Sequence, residues 1–227
     1  MRYQYLLVDN DNTIMDFNAA EAKALVELFA SFGIPTDEET IRLYIHINEA
    51  LWRALERGET TQARLKVDRF AQFLAAIGRM DVRPEDMAAG YVLELAKHPD
   101  LLPGAADFIQ ALHGRMKIAI VSNGLSAIQR GRLSRCPLTP LFDAIAISEE
   151  VGAAKPDPKL LQAAMEMLGC TDKSQAVMMG DSLTADIQAA VNAGVDSIFF
   201  TPKGQQSDLP TYTVTSHEDA LKILMEE

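Results

Sequence analysis

The spacing of apolar and polar residues changes character partway along the chain. Residues 4–8 form a short apolar run stopped by Asp9, the pattern of a buried strand whose end delivers polar side chains. From Asn18 to Phe32 the apolar positions Ala22, Leu25, Val26, Phe29 and Phe32 recur at helical spacing, and Gly33 ends the stripe. Pro35 and Thr36, with Glu39 three residues later, predict a capping box that satisfies two orphan amide donors at the start of a second helix. That helix carries Ile41, Tyr44, Ile45, Leu51 and Leu55 on one face and stops at Gly58. A third, with Leu65, Phe70, Phe73, Leu74 and Ile77, ends at Gly78, and a fourth runs from Pro84-Glu85-Asp86 to just before His98-Pro99.

Beyond Leu102-Pro103-Gly104 the period alternates between two and 3.6. Apolar runs at Lys117–Val121, Ala144–Ile147, Ala176–Met179, Ser197–Phe200 and Tyr212–Val214 are separated by helical stripes. Strands interleaved with helices imply right-handed crossovers and a parallel sheet covered on both faces. The strand at residues 4–8 needs that sheet as its partner, so the helical stretch must be an insertion. The expected fold is therefore α/β: a Rossmann-like parallel sheet core, residues 1–14 with 102–227, and an inserted helical bundle cap, residues 15–101. Gly104 and the Asp16–Asn18 region are the expected hinges.

Composition narrows the partners. The 227-residue chain is 48% hydrophobic and 23% charged, enough for a packed core. Twenty-one Lys and Arg against 32 Asp and Glu give a net charge of −11, which repels nucleic-acid polymers and anionic membranes at long range. A small phosphorylated ligand stays admissible, because a metal ion or one placed lysine reverses the local field. Cys136 and Cys170 have no zinc or disulfide spacing, and no segment has the length of a signal peptide core or membrane span. The expectation is a cytoplasmic monomer or homodimer.

In parallel α/β sheets ligands sit beyond the carboxyl ends of the strands. Four such ends are polar here: Asp9-Asn10-Asp11-Asn12-Thr13, Ser122-Asn123-Gly124, Lys155-Pro156-Asp157-Pro158, and Gly180-Asp181-Ser182-Leu183-Thr184-Ala185-Asp186. An EF-hand reading of Asp9-x-Asp11 fails, since Ile14 stands where glycine is required and Ala20 where the bidentate glutamate belongs. A turn pair would explain Asp9 and Asp11 alone, but Asp181 and Asp186 arrive at the same edge. Like charges converging there call for a cation, and oxygen-only ligation points to magnesium. Lys155 can neutralise carboxylates and hold an anion, while Ser122 and the amides that follow it can donate to phosphate oxygens. That inventory suits phosphoryl transfer through an aspartyl intermediate.

The chain resembles the haloacid dehalogenase superfamily of hydrolases with a helical cap after the first motif. The matching motifs are Asp9-x-Asp11-x-Thr13, Ser122, Lys155 and Gly180-Asp181-x-x-x-x-Asp186. The resemblance implies that Asp9 attacks phosphorus and that Asp11 protonates the leaving oxygen and then activates water. It places Thr13, Ser122, Asn123 and Lys155 on the phosphate, and Asp9, Asp11 through its carbonyl, Asp181 and Asp186 about magnesium. Asp186 would bind a metal-bound water or orient Lys155. Asp11 favours phosphate esters over carbon–halogen bonds, because the dehalogenases lack that second aspartate.

The stretches Asn48-Glu49-Ala50-Leu51-Trp52, Leu55 to Thr60 and Leu65 to Phe70 are similar to bacterial pyrimidine 5′-nucleotidases, as are Gln129, Arg132-Leu133 and Ile147 to Gly152. The implied substrate is a nucleoside 5′-monophosphate. Phosphoglycolate phosphatases, sugar and sugar-acid phosphate phosphatases and phosphoglucomutases share the motifs and remain alternatives, as does a non-catalytic phosphate-binding module. Helical spacing favours Trp52 and Phe70 as bundle core and Arg69 as an ion-pair partner. His46, His98, His113 and His217 follow no apolar strand and read as solvated or capping residues.

Overall fold

A computed structural model describes residues 2–226 of the chain. Six parallel strands, β1 (Tyr5–Val8), β2 (Lys117–Ser122), β3 (Ala144–Ile147), β4 (Ala176–Gly180), β5 (Asp196–Phe200) and β6 (Tyr212–Val214), form one sheet in the order β3-β2-β1-β4-β5-β6. The connections run outward from β1 to β2 and β3 on one side and to β4, β5 and β6 on the other. The reversal of winding falls between β1 and β4, the crevice where such sheets bind ligands. The expected α/β class is what the chain adopts.

Register explains the sequence pattern. Leu6 pairs with Ile118 and Val177, and Leu7 pairs with Ala119 and Met178, so side chains alternate between two covered faces. On one face Leu7, Ala119, Val121 and Met178 are buried with Leu160, Leu161 and Ala164 of α8 (Lys159–Leu168) and Ala189 and Ala190 of α9 (Gln188–Ala193). Small residues on α9 let that helix lie close to the strands. Two further helices, α5 (Ala105–Leu112) and α10 (His217–Met225), pack together, and α10 also meets β5.

The chain divides into two compact units. One comprises the residues through Phe17, Asp100–Gln129 and those from Cys136 on; the other comprises Asn18–Pro99 with Arg130–Arg135. The second unit is helical, with α1 (Phe17–Ser31), α2 (Glu38–Glu56), α3 (Gln62–Ala76) and α4 (Pro84–Leu95). Its core is aromatic: Phe29 stacks on Phe73 at 4.8 Å between centroids and Tyr44 on Phe70 at 5.2 Å, with Tyr91 against Phe70 at 5.5 Å. The segment Arg130–Arg135, the end of α6 (Ser126–Leu133) and the residues after it, belongs to this unit, within which Arg132 Nε donates to the His98 carbonyl at 3.0 Å.

Three local expectations are corrected. The cap of α2 is Asp37, whose carboxylate accepts from the Thr40 amide at 2.9 Å, and Thr36 stands outside the helix. A carboxylate is the stronger acceptor and suits the positive end of the helix. The apolar face of α2 is only half-buried at Ile41, Ile45, Leu51, Trp52 and Leu55, and its buried residues are Tyr44 and Asn48. His217 is neither solvated nor capping. It is buried between Phe108 and Phe200, with Nε2 2.7 Å from the Thr13 carbonyl and Nδ1 3.0 Å from the Pro103 carbonyl.

That histidine sits where the chain leaves and re-enters the sheet unit. Met15 and Leu101 form an antiparallel bridge, the Leu102 amide donates to the Ile14 carbonyl and the Asp16 amide to the Asp100 carbonyl, each at 2.9 Å. No helix among the described residues is long and apolar enough to cross a membrane.

Candidate active site

Strand β1 ends at Val8, yet the Asp9 amide still donates to the Met179 carbonyl of β4 at 2.9 Å. Asp9 is thereby fixed at the reversal point of the sheet. The chain then turns tightly: the Ile14 and Met15 amides both donate to the Asn10 carbonyl, and Asn12 takes a positive φ of 58°. This turn holds Asp11 two residues beyond Asp9 on the same edge.

Lys155 enters from the loop after α7 (Ser148–Val151), which follows β3. Its backbone is clamped from both sides by Asn123, whose Oδ1 accepts from the Lys155 amide at 2.7 Å and whose Nδ2 donates to the Lys155 carbonyl at 2.8 Å. The ammonium donates to Asp9 Oδ1 at 2.6 Å and to the Val121 carbonyl at 2.7 Å, and forms an ion pair with Asp186 Oδ1 at 2.7 Å. Two hydrogen bonds and one ion pair thus surround the ammonium. Burial pulls Lys155 down, but Asp186 and Asp9 outweigh it and hold the ammonium above its ordinary value.

Asp186 lies on a π-helical turn, Leu183–Ile187, and folds back so that its Oδ2 accepts from the Ser182 amide at 3.0 Å. Room for that return comes from Gly180. A Cβ there would sit 2.3 Å from Asp186 Cγ, far inside contact distance. The carboxylates of Asp9, Asp181 and Asp186 can each place one oxygen within 4.8 Å of the others. Burial first, then Asp186, Asp181 and Asp11, push Asp9 well above the usual carboxylate range despite the opposing pull of Lys155. Burial and Asp186 push Asp181 up to about 7.

The donor set itself tests whether a cation fits. Three carboxylates converge within reach of one another and a single lysine pairs with two of them, which leaves surplus negative charge at the edge. An all-oxygen donor set with excess charge suits a hard divalent ion. The residues present fit such a group.

Residues 3–194 match the signature of the haloacid dehalogenase-like hydrolases. The pyrimidine 5′-nucleotidase PynA of Streptococcus pneumoniae is 35% identical over 228 aligned residues, covering 99% of this chain and 96% of that protein. The pyrimidine 5′-nucleotidase YjjG of Escherichia coli is 31% identical, covering 99% of each chain. Among solved structures, the magnesium-bound HAD-hydrolase YfnB of Bacillus subtilis superposes over both whole chains with a TM-score of 0.93 at 34% identity.

The chain belongs to the haloacid dehalogenase-like hydrolases.

Within this hydrolase the residues singled out from the sequence have different surroundings. Asp9, Lys155, Asp181 and Asp186 form one buried electrostatic cluster. Ser122 is buried at the end of β2, and its Oγ accepts from the Gly124 amide at 3.0 Å. Thr13 is buried, with its carbonyl facing His217. The side chain of Asn123 pairs with the Lys155 backbone, which leaves its backbone amide for the phosphate role expected of the amides after Ser122. The Asp11 carboxylate is outside the three-acid cluster and meets Gln129, whose Nε2 donates to Asp11 Oδ2 at 2.6 Å. The sequence marks Gln129 as part of the nucleotidase resemblance without assigning it a contact. The available signal was Gly124, which stands before α6 on the same strand-end loop as Ser122.

Proposed function

We propose that this hydrolase removes phosphate from small phosphate monoesters, with magnesium as its metal and a phosphoryl group carried transiently on Asp9, and that pyrimidine nucleoside 5′-monophosphates are its substrate class. The observation that carries the chemistry is the pairing of Asp9 with the Lys155 ammonium at 2.6 Å, with Asp11 two residues along the same turn. The substrate class is supported by the two nucleotidases that match this chain over nearly its whole length. The inserted bundle, residues 15–101, is assigned the choice of substrate.

In the first step an Asp9 carboxylate oxygen bonds to phosphorus while the bond from phosphorus to the ester oxygen breaks, and Asp11 gives its proton to that oxygen. In the second, water adds to phosphorus, its proton passes to Asp11, and the Asp9 carboxylate leaves. Inorganic phosphate is released and both aspartates return to their starting states. Lys155 holds Asp9 oriented and opposes its protonation while phosphate charge gathers nearby. Ser122 Oγ and the amides after it donate to the transferred phosphoryl oxygens. Asp9, Asp181, the Asp11 carbonyl and Asp186 would hold the metal, which supplies neutralising charge to the phosphate when bound.

The test is phosphate release, with magnesium and with EDTA, from pyrimidine and purine monophosphates, phosphoglycolate, hexose phosphates and a sugar-acid phosphate. A metal-dependent kcat/KM for UMP, dUMP or dTMP about tenfold above the others, roughly 1.4 kcal/mol of transition-state binding, is the expected result. A preference for phosphoglycolate or a sugar phosphate would retain the mechanism and overturn the substrate class. Release that is unaffected by EDTA would overturn the role of the metal, and no release from any ester would favour phosphoryl transfer to an acceptor sugar or simple phosphate binding.

A further inference from the structure

Gln129 lies on the first half of α6 and is almost wholly buried, at 1% exposure. Both ends of its amide are used. Its Oε1 accepts from Asn10 Nδ2 at 2.6 Å, and its Nε2 donates to Asp11 Oδ2 at 2.6 Å. Asn10 is itself fully buried beside the nucleophile. Because Asn10 supplies the donor on one side, the glutamine amide must turn its own donor toward Asp11. This orientation gives an ionised carboxylate a hydrogen bond, and the reverse would set carbonyl against carboxylate.

The rest of the fold holds Gln129 in that pose. Gly124 leaves the space it occupies: a Cβ there would lie 2.3 Å from Nε2 and 2.9 Å from Cδ and Cγ. The start of α6 is anchored by two acids after β3, since Glu149 accepts from the Ser126 amide at 2.7 Å and Glu150 from the Ser126 hydroxyl at 2.5 Å. Acidic groups at a helix start are also favoured by its dipole.

We propose that Gln129 is a positioning residue for Asp11, fixing the carboxyl group by its Oδ2 edge and directing the transferable proton to Oδ1. The inference rests on the role given above to Asp11. The hydroxyl oxygen of a carboxylic acid is a poorer acceptor than its carbonyl oxygen. Donation from Gln129 to Oδ2 therefore makes Oδ2 the carbonyl and Oδ1 the proton carrier in the acid form. Gln129 neither gains nor loses a proton. Its contribution is to present the right edge of Asp11 when the ester bond breaks, and again when water is deprotonated.

Leaving-group dependence separates this role from a merely structural one. A nucleoside 5′-oxygen needs a proton to depart, whereas p-nitrophenolate leaves well without one. Gln129→Met keeps the length of the side chain and removes both hydrogen bonds. It should lower kcat/KM for UMP by about 30–100-fold and for p-nitrophenyl phosphate by less than about threefold, since general acids contribute about 10²–10⁴. In an Asp11→Asn background Gln129→Met should add no further loss on UMP, because the two act as one unit. Thermal melting of each variant checks that the fold is kept, and the aryl ester reports an intact Asp9 and Lys155.

Equal losses on both esters, no loss on either, or full multiplication with Asp11→Asn would overturn the inference while leaving the role of Asp11 intact. If Asp11→Asn itself shows no leaving-group dependence, the role of Asp11 fails and the inference fails with it.

Discussion

Replacing Lys155 with methionine removes a cation that touches both Asp9 and Asp186 and keeps most of its apolar volume. The lysine is 2% exposed, so neither carboxylate can recover the lost contact from water. Removing one partner of a buried pair costs about 3–5 kcal/mol. For 227 residues, at about 2.1 cal/mol/K each, the unfolding entropy is near 0.5 kcal/mol/K, and the Tm should fall by about 6–10 °C. The sign with pH follows from the groups left behind. A lysine held above its ordinary value contributes stability that is fully present below its unfolded pKa near 10.4 and is lost only as pH rises through the higher folded value. Between pH 5 and 8 its charge therefore does not change, and any pH dependence of the loss comes from the acids. Asp181, pushed up to about 7, takes up a proton between pH 8 and pH 5 and lowers the negative charge beside the stranded pair, so the loss should be smaller at pH 5. Scanning calorimetry in EDTA at the two pH values measures both numbers. A loss that is the same at pH 5 and 8, or below about 2 °C at pH 8, would refute the electrostatic argument. In magnesium the same variant should lose about 10²–10³ in kcat/KM on its best ester, the scale expected for removing one preorganised donor.

Gly180→Ala places a Cβ 2.3 Å from Asp186 Cγ, and because Asp186 is tied to Lys155 and to the Ser182 amide it cannot retreat cheaply. We expect a loss of about 1–3 kcal/mol in denaturant titration and at least 100-fold in turnover, with wild-type behaviour in either counting against the close approach. Asp181, pushed up to about 7, adds stability to the metal-free protein that is present at low pH and lost as pH rises through that value. The rise in Tm on adding magnesium should accordingly grow between pH 6 and 8; a constant rise would mean that Asp181 does not titrate in this range. In the helical unit, buried Arg69 donates to Asn48, which donates to Glu21. Arg69→Met should cost about 3 kcal/mol, and Glu21→Leu in the same chain should restore most of it if the charges are matched as described.

How much of this the sequence displays depends on whether the signal is local. The strands were legible because each is a short β-rich run with polar residues at its end, and a strand buried on both faces leaves no other reading. Asp9, Asp181 and Lys155 were legible because a parallel sheet brings every strand end to one edge, whatever the helices do. The roles of Gln129 and Asn123 were not. Gln129 meets a carboxylate 118 positions away and Asn123 a backbone 32 positions away, and neither pairing follows from topology alone. Asp37 displaced Thr36 as a cap because two adjacent residues both suit that position and only the path of the chain decides between them. His217 was misread because its partners are two backbone carbonyls, which no side-chain pattern records.

The electrostatics also set an order of events. With every group ionised, Asp9, Asp11, Asp181 and Asp186 bring four negative charges to the edge and Lys155 one positive, a local sum of −3 within a chain whose net charge is −11. A phosphate dianion about 4 Å from one unpaired carboxylate at an effective dielectric near 20 meets roughly 8 kcal/mol of repulsion, and a lysine already committed to Asp9 and Asp186 cannot offset it for the whole cluster. A divalent ion brings the local sum to −1, so anion affinity should require metal binding first. Titration calorimetry with inorganic phosphate tests this at pH 8: millimolar binding in magnesium and none detectable in EDTA is the expected pair. In Asp181→Asn, which removes one charge without adding a cation, phosphate binding in EDTA should strengthen while the dependence on magnesium weakens. Equal phosphate affinity in magnesium and EDTA for the wild-type chain would mean that the acids are already neutralised by protons, and that the lysine alone governs the approach of the anion.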